Sequence, residues 1–149
     1  MLQDPPRPVR YAGRMSTWRD LVQYVSEEYE VISSEGDEVR ILFNFEAFNE
    51  DDERTQVVII AREVLDAKHE WVQIASPVGL ADKVDLKAVL TEIGHSSIAC
   101  GAAIMGEHVV LRHSLPLKDL DIHEFTDPLE LLAGTADQIE EMFFGGDNY

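Results

Sequence analysis

The most reactive side chain is Cys100, the single cysteine of the chain. If Met105 faces His108 across a tight turn at Gly106 and Glu107, then Ile104 faces Val109, Ala102 faces Leu111 and Cys100 faces His113. A cysteine beside a histidine could form a thiolate–imidazolium pair. A nucleophilic cysteine, however, needs access and a stabilised thiolate, and Cys100 falls among Ile98, Ala102, Ile104 and Leu111 on an apolar face. The structural reading, a buried free thiol, is preferred. The five histidines share no helix face, and His108 and His113, an odd number apart on one strand, point to opposite sides. No H-E-x-x-H motif or Cys/His cluster is present. Glu50, Asp51, Asp52 and Glu53 lack the alternating ligands and distal Glu of a calcium loop and read as a solvated acidic loop. Neither G-x-G-x-x-G, a Walker loop nor G-x-S-x-G occurs. No catalytic residue, metal ligand or cofactor is assigned.

Arg112 is the more informative charge. It is the only lysine or arginine between Lys87 and Lys118, and hairpin parity sets it on a face with Ala99, Gly101, Ala103, Met105 and Val110. That face is small and only partly polar. It could stay in solvent, or pack against another helix or a subunit. Met105, Val110 and Arg112 are the candidate residues of a partner-binding or dimer face, where the arginine would anchor a carboxylate. The plainer alternative is an ion pair with one of the chain's own acids.

These residues need elements to carry them. Residues 98–117 read as a two-stranded hairpin. Thr17 and Asp20 fit a capping box, followed by a helix whose Trp18, Leu21, Val22, Val25 and Tyr29 form one apolar stripe. Val39, Ile41, Phe43 and Phe45 alternate as a strand, and a short strand at 31–33 could pair with it across Glu35, Gly36 and Asp37. Residues 55–64 and 71–76 read as adjacent antiparallel strands, the second ended by Pro77 and Gly79. Asp82 or Asp85 caps a helix with Leu86, Val89, Leu90 and Ile93 inward and Gly94 as its stop. A last helix spans 127–144, capped by Thr126 with Pro128 in its first turn, burying Leu129, Leu132, Ala136, Ile139, Met142 and Phe143 and stopped by Gly145 and Gly146. Leu131 and Phe144 lie off that stripe.

With 149 residues and 45% hydrophobic content, one domain over 16–149 is expected, preceded by a flexible tail over 1–15 rich in proline and arginine. The tail could fold back on the domain or be dispensable. Twelve basic against twenty-nine acidic residues leave a charge of −17, which disfavours nucleic acid and anionic lipid. The longest apolar runs, such as 57–61, are far shorter than the ~20 residues of a membrane helix. The N-terminal stretch has no apolar segment of the kind a secretory signal needs. A lone cysteine fits a reducing compartment, so a cytoplasmic location is expected.

The order helix, strands, helix, hairpin, helix resembles the type III secretion chaperone-like α+β fold. Val109-Val110-Leu111-Arg112-His113-Ser114-Leu115-Pro116-Leu117, then Ala136-Asp137-Gln138-Ile139-Glu140-Glu141 and Gly145-Gly146-Asp147, look like the YbjN family of bacterial proteins. The resemblance is strongest over the last forty or so residues and is a matter of pattern alone at 56–60 and 70–76. It implies an antiparallel sheet covered by helices, a cytoplasmic protein and dimerisation, and family members are described as sensory-transduction regulators or chaperone-like proteins. A shared fold does not transmit an activity. Three functions follow as expectations. The first is a non-catalytic, homodimeric chaperone-like or regulatory module that binds a polypeptide. The second is a small-molecule sensor or enzyme with a pocket between helix and sheet. The third is a structural subunit whose face is covered by its own dimer.

Overall fold

The computed structural model describes residues 14–45, 54–97 and 99–145. The acidic stretch at Glu50 to Glu53, Ile98, Gly146, Asp147 and residues 1–13 of the expected tail lie outside them. The chain is α+β, and the described residues form a six-stranded antiparallel sheet and three helices.

A two-residue strand, β1 (Arg14–Met15), leads into α1 (Trp18–Glu28). Thr17 caps α1 as expected, its hydroxyl accepting from the Asp20 N–H at 3.1 Å. Leu21 and Val25 are buried, and the Trp18 indole donates to Gly36 O. β2 (Glu30–Glu35) and β3 (Glu38–Phe45) form the first hairpin, with Gly36 at φ +56 supplying the left-handed residue of its turn. Around Tyr29, the rings of Tyr24, Phe43 and Phe45 close the end of the core, and burial holds the Tyr29 hydroxyl far above the usual tyrosine range.

β4 (Arg54–Leu65) and β5 (His69–Leu80) follow. β5 does not stop at Pro77 and Gly79. It runs through both: the Pro77 backbone is turned toward β4 beyond the last backbone pair of that ladder, so its missing N–H breaks no bond there, and a bulge between Pro77 and Gly79 shifts the register on β7. The β4–β5 ladder ends at Ile59 and Ala75. Beyond that pair side chains bridge the strands: Ser76 Oγ donates to Val57 O at 2.7 Å, and Gln56 Nε2 donates to Ser76 Oγ and to Pro77 O. A Cβ at Gly79 would overlap the Phe144 ring, so this glycine makes room for the last turn of the chain's final helix.

After a 3-10 turn (Ala81–Lys83), α2 (Leu86–Ser96) is capped by Asp85 rather than Asp82. Val89 and Ile93 are buried, but Leu90 is 52% exposed, and the helix continues past Gly94 to a cap at Ser97. Gly94 lies in open helix where no left-handed residue is needed. β6 (Gly101–Met105) and β7 (His108–Pro116) make the expected hairpin, with Gly106 at φ +63.

β8 (Leu120–Asp121) pairs with β1, which draws Met15, fully buried, into the core. α3 (Ile122–Phe144) begins five residues before the expected start. Asp121 and Glu124 form a reciprocal capping box there, stronger than a lone Thr126, and Pro128 sits inside the helix. Phe125, Leu129, Leu132, Ala136 and Ile139 are fully buried at helical spacing, whereas Met142 is 53% exposed. Gly145, at φ +78, ends the helix.

Sheet order is β2-β3-β4-β5-β7-β6. Val39, Ile41, Val58, Ile60, Val72, Ile74, Val109 and Leu111 join one core with Leu21 and Val25 of α1, Val89 and Ile93 of α2, and the α3 stripe. All three helices therefore cover the same side of the sheet. Arg54 ties the start of β4 to α3 through ion pairs with Asp137, at 2.8 Å, and Glu141.

Candidate functional site: the open face of the sheet

Strand side chains alternate, so filling one side with the core sends the intervening residues to the other. On β4 these are Val57, Ile59, Ala61 and Glu63. Across the ladders lie Glu38 and Arg40 of β3, Gln73 and Ala75 of β5, and Val110 and Arg112 of β7. With all of these but Arg112, Pro77, Met105, His108 and Ile32 complete a shallow basin of about 720 Å³. Its floor is apolar. The rim is polar and largely paired within itself: Arg40 Nε meets Glu38 Oε1 at 2.5 Å, and Gln73 Nε2 donates to Glu63 Oε1 at 2.8 Å.

The three candidate residues come together on this side. Met105 pairs with His108, Ala103 with Val110 and Gly101 with Arg112, in the register expected from the Gly106-Glu107 turn. Met105 is 42% exposed, while Val110 is only 6% exposed because the sheet packs its own neighbours around it. Arg112 is half-buried between Ala75 and Gly101, small residues on both flanking strands. Among the described residues it makes no ion pair.

Cys100 and His113 are not joined. Hairpin pairing stops at Gly101 and Arg112, one position short of them, and His113 stands opposite Ile74 on the core side. The thiol is 3.0 Å from Ser97 Oγ, which also donates to Cys100 O and accepts from Cys100 N–H. Burial pushes the Cys100 thiol up, and the Ser97 hydrogen bond offsets only part of that. The group is a neutral thiol at physiological pH. Among the described residues no three His, Cys, Asp or Glu side chains gather where they could hold a metal ion.

Sequence reasoning found the β7 and β6 members of the face but not those of β4 and β5. The signal was the run at 57–61, apolar at both parities, which means that each side of β4 is apolar. A sheet with helices on one side turns half of that run outward. Among the described residues no helix is long and apolar enough to cross a membrane. No family model matches the chain, and no curated protein matches it.

Proposed function

We propose that the chain is a non-catalytic protein-binding module, chaperone-like or regulatory and of the YbjN-like, type III secretion chaperone-like kind, acting in the cytoplasm. Its open sheet face takes an extended or amphipathic segment of a polypeptide partner or of a second copy. The observation that carries this reading is the six-stranded sheet covered by helices on one side alone, with Val57, Ile59, Ala61, Ala75, Pro77 and Val110 left on the other. Apolar area rimmed by polar groups is the composition of a recognition surface. Arg112 supplies a cation that no described acid neutralises and that suits a partner's carboxylate.

The test is affinity capture from a lysate of the protein's own source, run in parallel with wild type and Arg112→Ala. A stoichiometric protein held by wild type and weakened about tenfold or more by Arg112→Ala, with unchanged circular dichroism, is the expected result. A partner retained equally by both, or an Arg112→Ala chain that simply unfolds, contradicts the assignment.

The small-molecule sensor reading is favoured by one observation, the basin's volume, which is that of ligand pockets. It would use the open face rather than a space between helix and sheet. A thermal-shift screen that finds a ligand whose effect is lost in Ile59→Asp separates it from peptide binding.

A further inference from the structure

The two outer strands of the sheet are built differently. β2 reads Glu-Val-Ile-Ser-Ser-Glu, bears a carboxylate at each end and carries a register shift between Val31 and Ser33. Charge and irregularity are two of the ways an edge is kept from pairing with another chain. β6 reads Gly-Ala-Ala-Ile-Met, with no charge, no proline and an unbroken register on β7. Ile104 and Met105, on its opposite faces, are 56% and 42% exposed.

The hydrogen bonds that β6 has left to give can be read from its hairpin. Residues flanking a two-residue turn exchange both their N–H···O bonds, so Met105 bonds to His108, and alternation turns Ala103 and Gly101 inward as well. The N–H and C=O of Ala102 and Ile104 therefore point off the edge. Among the described residues no hydrogen bond outside the strand reaches them. One step further along, the N–H and C=O of Cys100 are both taken by Ser97 Oγ, which closes the open edge at that end. The turn closes it at the other.

We infer that β6 pairs with β6 of a second copy, antiparallel, about a twofold axis at Ala103. In that register Ala102 of each copy faces Ile104 of the other, and each such pair exchanges both of its N–H···O bonds. Every outward group of the open edge is used. Two six-stranded sheets become one, with the two open faces side by side.

A second copy is the occupant that the charges favour. Lys87 and Glu92, of opposite sign, are the only Lys, Arg, Asp or Glu from Leu86 to Gly106, in a chain that carries −17. Two such acidic molecules repel wherever their surfaces are typical, and the stretch through β6 carries no net charge as far as Glu107 in the turn that follows it. Gly101, Ala102 and Ala103 let the strands approach closely. A five-residue seam is small beside the roughly 1,200–2,000 Å² of a stable interface. α2 packs beside β6, and its Leu90 is 52% exposed.

Sedimentation velocity over a concentration series tests the inference on the full chain, comparing wild type with Ile104→Lys and with Ser34→Lys, a lysine placed on the opposite edge outside the basin. We expect a dimer for wild type and Ser34→Lys, and a dissociation constant raised at least tenfold in Ile104→Lys with unchanged circular dichroism. A second variant reads the register without relying on the first. In Cys100→Ser with Ala103→Cys, the two introduced thiols sit in a non-hydrogen-bonded pair whose Cα atoms are about 4.5 Å apart, within disulfide range, and oxidised glutathione should link them covalently while being reduced to glutathione. Wild type sedimenting as a monomer throughout, a dimer indifferent to Ile104→Lys, or a dimer that Ala103→Cys fails to link would each overturn the inference. The open-face assignment is judged separately, by Arg112→Ala, a residue outside β6.

Discussion

Cys100 and Arg112 are two polar side chains of one hairpin region, and their surroundings assign them opposite roles. The thiol is half-buried, held by Ser97 and raised by desolvation, so at pH 7 it carries almost no thiolate. Alkylation by a maleimide at pH 7 should therefore run at least about tenfold slower in the folded chain than in urea. Equal rates would restore the nucleophilic reading. The sign of the pH effect follows from the same shift. The unfolded thiol ionises near 9.0 and the folded one later, so this residue's contribution to stability is intact below that pH and is lost as pH rises through the folded value. Arg112, by contrast, lacks an ion-pair partner among the described residues. Its placement, with Met105 and Val110, followed from parity and the Gly106 turn alone. Val57, Ile59, Ala61 and Ala75 were not assignable that way, because apolar residues at both parities leave open which side the helices take.

At the scale of elements, local chemistry sufficed where one signal acted alone. Thr17 before Trp18, the alternation of 39–45 and the Gly106-Glu107 turn specify a helix start, a strand and a register, and each stands in the structure. It failed where two signals competed. Pro77 and Gly79 read as a strand end, but a bulge and the side-chain bonds of Gln56 and Ser76 carry β5 past them. Thr126 and Pro128 read as a helix start, but Asp121 and Glu124 cap the helix first. The seating of the Phe144 ring over Gly79 is a consequence of that continued strand. Gly79→Ala should lower stability by about 1–3 kcal/mol in urea denaturation, because the ring must be displaced. The double variant with Phe144→Ala should cost less than the sum of the two single changes. Strict additivity would show that the contact carries no energy.

The whole molecule is two-sided. One side of the sheet holds the core and all three helices; the other holds an apolar basin with a polar rim. Charge is distributed to match: the net −17 keeps the general surface from sticking, while the stretch from Leu86 to Gly106 is neutral and the basin's rim pairs most of its own charges. Such an arrangement has a use if the uncovered side is where another polypeptide binds. Cysteines introduced one at a time in a Cys100→Ser background can report on both sides, one by Ala61→Cys on the open face and one by Gln138→Cys on the exposed surface of α3. The deciding measurement is the rate of maleimide labelling at these two positions, with and without the captured partner. The account predicts strong slowing at position 61 and none at position 138; protection at 138 with position 61 still reacting freely would contradict it.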